Sequence, residues 1–285
     1  MGEVCMFGKR SDGRKLKTIS PFLRMIPFIM NRRTDSMNTM TIHVALDGMK
    51  TFIKACRDKG IAMSYMTIII AAYARTVAQH PVLNRYVANK RIYARNQLCV
   101  SFVALREYEE QGAAETTIKV ALDRADDIYT VAEKINLAIA ENRVDDAEND
   151  ADKLVGNIMK LPLIPGFIVN VLKFMERHGM LPRSVIDISP FHTSLFLTNM
   201  ASIRMPALHH HLYEFGTTTL FLAMGLPETT IENEKKTQVM PLGIVVDERI
   251  CEGAVYAKAF KTLLKYISNP SLLEKSAEVI IEDVD

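Results

Sequence analysis

Three consecutive histidines, His209, His210 and His211, stand just ahead of Tyr213 and Glu214, and a second group of ionisable side chains follows in Asp247-Glu248-Arg249-Ile250-Cys251-Glu252-Gly253. Imidazole ordinarily titrates nearest neutrality, which suits it to take a proton from a nucleophile and return it. If this stretch is extended, His209 and His211 share one face while His210 points opposite, beside Tyr213. Three readings stand together. His210 or His211 acts as a base with the Glu248 carboxylate orienting its ring, as carboxylate–imidazole pairs do elsewhere. Two histidines with Glu214 or Glu248 hold a metal ion, the ligand types being right and the spacing undiagnostic, so no metal ligand is assigned. Or the stretch is a polar loop satisfied by solvent. Cys251 reads as a packing residue rather than a nucleophile, and His192, after Ser189-Pro190-Phe191, as the end of a turn.

The elements that must position these groups alternate in type. A strand is expected over Met40–Leu46, then a helix over Gly48–Lys59 and a second, capped by Ser64, that Pro81 ends. Strands follow at Arg91–Tyr93, Leu98–Leu105 and Thr116–Leu122, then a helix capped by Asp127 running to Asn142. After the acidic stretch Asp145–Asp152 come two helices that end near His178-Gly179, with Gly179 as the terminator and Pro182 just beyond it. Strands resume at Thr193–Asn199, Thr218–Met224 and Val239–Asp247, and a helix from Ala254 to Ile267 closes the pattern before Asn269-Pro270. No internal repeat is visible, and the mixture reads as one α/β domain over 1–285 with a helical insertion near 147–190.

Composition narrows the classes. The 285 residues are 48% hydrophobic and 24% charged, enough for a large core. The 35 basic and 33 acidic residues leave a net charge of +2, which gives no reason to expect nucleic acid as a partner. Cys5, Cys56, Cys99 and Cys251 form no Cys-x-x-Cys pair, so neither a zinc site nor a disulfide framework is indicated and a reducing cytoplasm is expected. The polar, basic Met1–Lys17 does not read as a secretory signal. Leu161–Met175 is the most apolar stretch but carries Pro162, Pro165 and Lys173, so it is not a simple span. Phe167, Ile168, Val171, Leu172 and Met175 recur at helical spacing, and burial against this chain or a sister subunit is expected ahead of docking to a membrane or a partner protein.

The order of segments resembles the catalytic domain of the dihydrolipoyl acyltransferases, the cores of 2-oxo acid dehydrogenase complexes, which share the chloramphenicol acetyltransferase fold. Pro81-Val82-Leu83-Asn84 looks like the family's Pro-x-Leu-Asn turn, and Leu197-Thr198-Asn199-Met200 resembles its Ile-Ser-Asn-Leu strand. Pro241–Gly253 resembles the strand and signature Asp-His-Arg-x-x-Asp-Gly, with Glu248 in place of the histidine and Glu252 in place of the second aspartate. The resemblance runs from about Thr18 to Glu274, interrupted by the insertion, and no lipoyl module is expected.

That resemblance implies a mixed sheet flanked by helices, a homotrimer with a channel at each subunit interface, an acyl-coenzyme A co-substrate with no bound cofactor, and a separate lipoyl-bearing protein as a partner. It implies a base at Glu248, a weak one towards a thiol since carboxylates titrate near 4.3 and thiols near 8.5, with an ion pair to Arg249 as its structural alternative. Glu252 is expected to hold the site through Arg32 or Arg33, and Gly253 to serve a tight strand-to-helix junction. The family's oxyanion hydroxyl falls at 208–211, where this chain has its histidines, leaving Thr217, Thr218 or Thr219 to compensate. Two functions are therefore expected: an altered coenzyme A-dependent acyltransferase, or a non-catalytic relative that binds acyl-coenzyme A or serves assembly.

Overall fold

Runs of β-branched and aromatic residues bounded by turn formers produce the strands of this chain, and the longest apolar run produces its most buried helix. The computed structural model describes residues 10–105, 115–143, 156, 165–232 and 235–285. In chain order these form β1 (Gly13–Lys15), α1 (Pro21–Ile29), β2 (Met37–Ala45), α2 (Asp47–Asp58), α3 (Tyr65–Gln79), β3 (Arg85–Ala88), β4 (Arg91–Arg95), β5 (Leu98–Leu105), β6 (Glu115–Leu122) and α4 (Ile128–Arg143). There follow α5 (Pro165–Arg177), α6 (Arg183–Ile188), β7 (Leu195–Asn199), β8 (Leu220–Met224), β9 (Glu228–Glu232), β10 (Lys235–Asp247) and α7 (Gly253–Ser268). The acidic stretch at 145–152 and most of the insertion before 165 lie outside the described residues.

The main sheet is mixed. Its order is β2-β10-β8-β7-β5-β6 with β9 also on β10, the β5–β7 and β7–β8 pairs being parallel and the rest antiparallel. A small antiparallel sheet, β1-β4-β3, stands apart. Period-two alternation assigns the two faces of the main sheet. Leu195 and Leu197, Leu220 and Leu222, and Leu242, Ile244 and Val246 pack on the helical side with α2, α3, α4 and α7. Phe196, Phe221 and Val245, between them, point to the other side with Leu212 and Tyr213. That second face is covered by the irregular segment between β7 and β8, which contains the histidines.

Local signals explain the boundaries. Ser64 Oγ accepts from the Thr67 amide at 3.1 Å, and Asp127 Oδ1 accepts from the Tyr129 and Thr130 amides at 3.0 and 2.8 Å, satisfying donors at two helix starts. Gly179, at a φ of 71°, ends the turn after α5 in a conformation side-chain-bearing residues avoid. Helix α1 was not expected, although Ser20-Pro21 is a start signal and Ser20 Oγ caps Leu23. The β3–β4 hairpin was half expected; it turns at Asn89 and Lys90, both at positive φ.

The expected burial of the apolar segment is not found within the chain. In α5, Phe167 is 69% and Phe174 53% exposed, because the helix rests on its Glu176 side, where Arg10 binds that carboxylate at 3.1 Å. Among the described residues no helix is long and apolar enough to cross a membrane.

Candidate active site

Strand β10 delivers the motif to the end of the sheet, and there the roles divide. Asp247 is fully buried; it accepts from Arg249 Nε at 2.8 Å, Arg249 Nη2 at 2.7 Å, the Arg249 amide at 3.1 Å and Ser36 Oγ at 3.1 Å. Arg33 Nε stands 3.9 Å away, and Tyr256 donates to the Asp247 carbonyl. Glu248 is half-buried, its amide donating to the Ser36 carbonyl and its carboxylate accepting from the Asn38 carboxamide. Cys251 is buried, and burial pushes its thiol up to about 12, so it is no thiolate near neutrality.

Three motif expectations change. Arg249 pairs with Asp247 instead of Glu248, because a carboxylate without solvent is where a neighbouring buried guanidinium must go. Glu252 is an exposed cap residue of α7, and among the described residues it has no ion pair; Arg33 instead faces Asp247 and donates to the carbonyls of Tyr213, Glu214 and Val87. Gly253 is uncrowded: a Cβ there would meet nothing within 4 Å, and its φ is not positive.

The histidine segment lies against the second face of the sheet beside β10. A Cβ at Gly243 would sit 2.9 Å from the Leu208 carbonyl carbon and closer to its oxygen, so glycine there admits the segment. His209 Nε2 meets Thr41 Oγ1 at 3.0 Å, and the Leu212 amide meets Met37 Sδ at 3.1 Å. His210 is turned inward, half-buried, and stacks on Phe221 with centroids 4.2 Å apart, while His209 and His211 are exposed. Its Nδ1 lies 2.8 Å from the His211 carbonyl oxygen. A carbonyl only accepts, so Nδ1 carries the proton and Nε2 is left with its lone pair. The Tyr213 hydroxyl stands 3.5 Å from that Nε2.

His210 borders a cleft of about 390 Å³ lined by Phe196, Phe221 and Tyr213 and by the polar groups of Thr198, Asn199 and Ser202. Asn199 Oδ1 is buried without a hydrogen-bond partner. The three expected substitutes for the oxyanion hydroxyl are committed elsewhere. Thr217 Oγ1 accepts from Arg95, and Thr218 and Thr219 donate to the Phe191 and Arg85 carbonyls. Among the described residues no histidine of the run hydrogen-bonds Glu248 within the chain: His209 meets Thr41, His210 the His211 carbonyl, and Glu248 the Asn38 carboxamide. Among the described residues no group of three or more His, Cys, Asp and Glu side chains converges as a metal site.

Sequence reading missed a buried polar cluster next to these elements. Arg10 donates to Asp12 at 2.8 and 2.9 Å, to Tyr86 and to Glu176, and Tyr86 donates to Asp12 at 2.8 Å. His192 is not simply a turn terminator. It is 1% exposed, its Nδ1 meets Ser189 Oγ at 2.8 Å, its Nε2 has no partner, and burial holds it well below the usual imidazole range. The polar N-terminal segment gave no period from which this cluster could be read.

The sheet order, its flanking helices and the site at the end of β10 define a chloramphenicol acetyltransferase-like fold. Solved structures share it over nearly the whole chain. Chloramphenicol acetyltransferase superposes with a TM-score of 0.56 at 12% identity, covering 90% of this chain and 99% of its own. A probable dihydrolipoamide acetyltransferase from Listeria monocytogenes gives 0.53 at 14% identity, covering 89% and 94%. A truncated catalytic core of the 2-oxoacid dehydrogenase multienzyme complex from Thermoplasma acidophilum gives 0.54 at 14% identity, covering 90% and 99%. At these identities the likeness is one of fold. No protein-family model and no curated protein matches the sequence.

Proposed function

We propose that this chain is an acyltransferase that moves an acyl group between coenzyme A and a thiol, amine or hydroxyl acceptor, with His210 as the base. One observation carries the reading: Nδ1–H of His210 is tied to a carbonyl, which leaves the Nε2 lone pair beside a cleft large enough for a small acceptor. His210 Nε2 takes the proton of the acceptor, whose heteroatom attacks the thioester carbonyl. The Asn199 carboxamide and the Thr198 hydroxyl, held only by a long contact to Met200 Sδ, are the donors for the resulting oxyanion, the Ser202 hydroxyl being taken by the Asn199 carbonyl. The intermediate expels coenzyme A as thiolate, which recovers the proton from His210. Glu248, tied to Asn38, takes no proton. The acetyltransferase and the multienzyme-complex core named among the similar structures support acyl transfer within an assembly; a homotrimer and a separate lipoyl-bearing acceptor are further parts of this proposal.

The test is release of coenzyme A from acetyl- and longer acyl-coenzyme A, followed with a thiol reagent across an acceptor panel. His210→Asn is expected to lower kcat/KM by about 100-fold or more, the usual contribution of a general base, while Glu248→Gln stays within about threefold. The opposite ranking overturns the assignment. Coenzyme A binding with no turnover across the panel supports the non-catalytic relative instead.

A further inference from the structure

On the other side of the motif from His210 lies a second cleft, of about 590 Å³, between the loop after α1, the β3–β4 turn and α5. Six cations line it: Arg32, Arg33, Lys90, Lys173, Arg177 and Arg249. They come from four separate parts of the chain, so no local charge run explains their meeting. The cleft also holds two carboxylates, and both are engaged. Glu176 is bound by Arg10 at 3.1 Å, and Glu214 Oε1 accepts from the Thr34 amide at 3.2 Å. Arg249 and Arg33 answer the buried Asp247 behind the cleft. Among the described residues, Arg32, Lys90, Lys173 and Arg177 have no carboxylate within ion-pair distance.

Two further observations set this cleft apart from a solvated basic face. Arg33 is 4% exposed, and its Nε, 3.9 Å from the Asp247 carboxylate, makes no hydrogen bond. Lys90 holds a φ of 59°, where glycine is the unstrained choice and a lysine is kept at a conformational cost. Its ammonium stands 5.5 Å from the Phe28 ring centre, which braces it at the rim. Val87, Ala88 and Phe215 add an apolar wall, and the volume is in the range of small-molecule sites.

We propose that this cleft binds a phosphate monoester or diphosphate group, the anion matched by several converging guanidinium and ammonium donors. The inference does not depend on acyl transfer. Its ligand has two sources, a soluble phosphorylated metabolite or a lipid headgroup. The second is kept in view by Phe28 and Ile29 of α1 and Phe174 of α5, which stand exposed beside the cleft's cations.

Calorimetric titration with inorganic pyrophosphate and glycerol phosphate forms one arm, and sedimentation with phosphatidic acid against phosphatidylcholine vesicles the other. Neither uses an acyl donor, so failure here and failure of the acyltransferase reading are distinguishable. Soluble anions are expected to bind in a salt-sensitive manner, and Lys173→Glu and Arg32→Glu to weaken binding about tenfold or more, as loss of a charge-assisted contact does. Lys54→Glu, an exposed change on α2, should leave it unaltered. Phosphatidic acid binding with the same dependence and no soluble binding assigns the headgroup source. No binding in either arm, or binding indifferent to Lys173→Glu and Arg32→Glu, overturns the proposal.

Discussion

Replacing Asp247 with alanine tests which acidic residue of the motif holds the site together. Its carboxylate accepts four hydrogen bonds and faces Arg33, all without solvent. Asp247→Ala leaves Arg249 and Arg33 buried, at 4% and 5% side-chain exposure, with no counter-charge. Removing one partner of such a buried pair costs about 3–5 kcal/mol, a large part of a typical stability of about 5–15 kcal/mol. An unfolding entropy of about 2.1 cal/mol/K per residue over 285 residues gives about 0.6 kcal/mol per degree. Tm should therefore fall by about 5–8 °C. Glu252→Ala removes an exposed carboxylate at a helix start and should cost under about 1 kcal/mol. Differential scanning calorimetry and urea unfolding read both. A Tm change below about 2 °C for Asp247→Ala, or equal losses for the two variants, would refute the assignment of Asp247 as the anchor.

Two further outcomes are expected. Gly243→Ala should drive the added methyl into the Leu208 carbonyl, costing about 1–3 kcal/mol as overpacking does and lowering any turnover through His210; comparison of Tm and kcat/KM checks both. His192 is neutral in the fold because burial depresses its proton affinity, whereas in the unfolded chain it takes a proton as pH falls through about 6.5. The unfolded state then binds more protons, so His192 contributes a loss of stability on acidification below that point, with a slope of up to about 1.4 kcal/mol per pH unit. Urea midpoints for wild type and His192→Gln between pH 7 and 5 should show that slope flattened in the variant.

What was legible in the sequence follows from what each signal encodes. Strands β5, β7, β8 and β10 are buried on both faces, so they stand out as apolar runs, and their order carried the fold. Helix α1 was missed because Phe22, Met25, Phe28 and Ile29 are exposed, which blurs the apolar face that would have marked it. At the site, alternation put His210 beside Tyr213, but it did not separate it from His211, whose ring stacks on that of His210 with centroids 4.6 Å apart. It could not pair the run with Glu248. The segment from Leu208 to Leu212 runs beside β10 from Gly243 towards Asp247, whereas Glu248 lies past the strand end with Asn38. Sequence spacing carries no information on which end of a strand a distant loop will cross.

Arg33 shows how the frame of the motif is held without the side chain at 248. One guanidinium faces Asp247 and also donates to the carbonyls of Tyr213 and Glu214, so it ties the start of the motif to the end of the histidine segment. Those bonds use the Asp247 side chain and two backbone carbonyls, and none uses the side chain at 248. A residue at 248 can therefore change without loosening the frame, provided Asp247 and Arg33 stay. The backbone that Arg33 fixes also carries Tyr213, whose hydroxyl faces His210 Nε2. With His210, 38 residues upstream of Glu248, as the proposed base, the motif is its scaffold, and Arg33→Met should lower activity through His210 positioning even if the fold survives. Retained kcat/KM in folded Arg33→Met, with His210→Asn inactive, would separate the base from this frame.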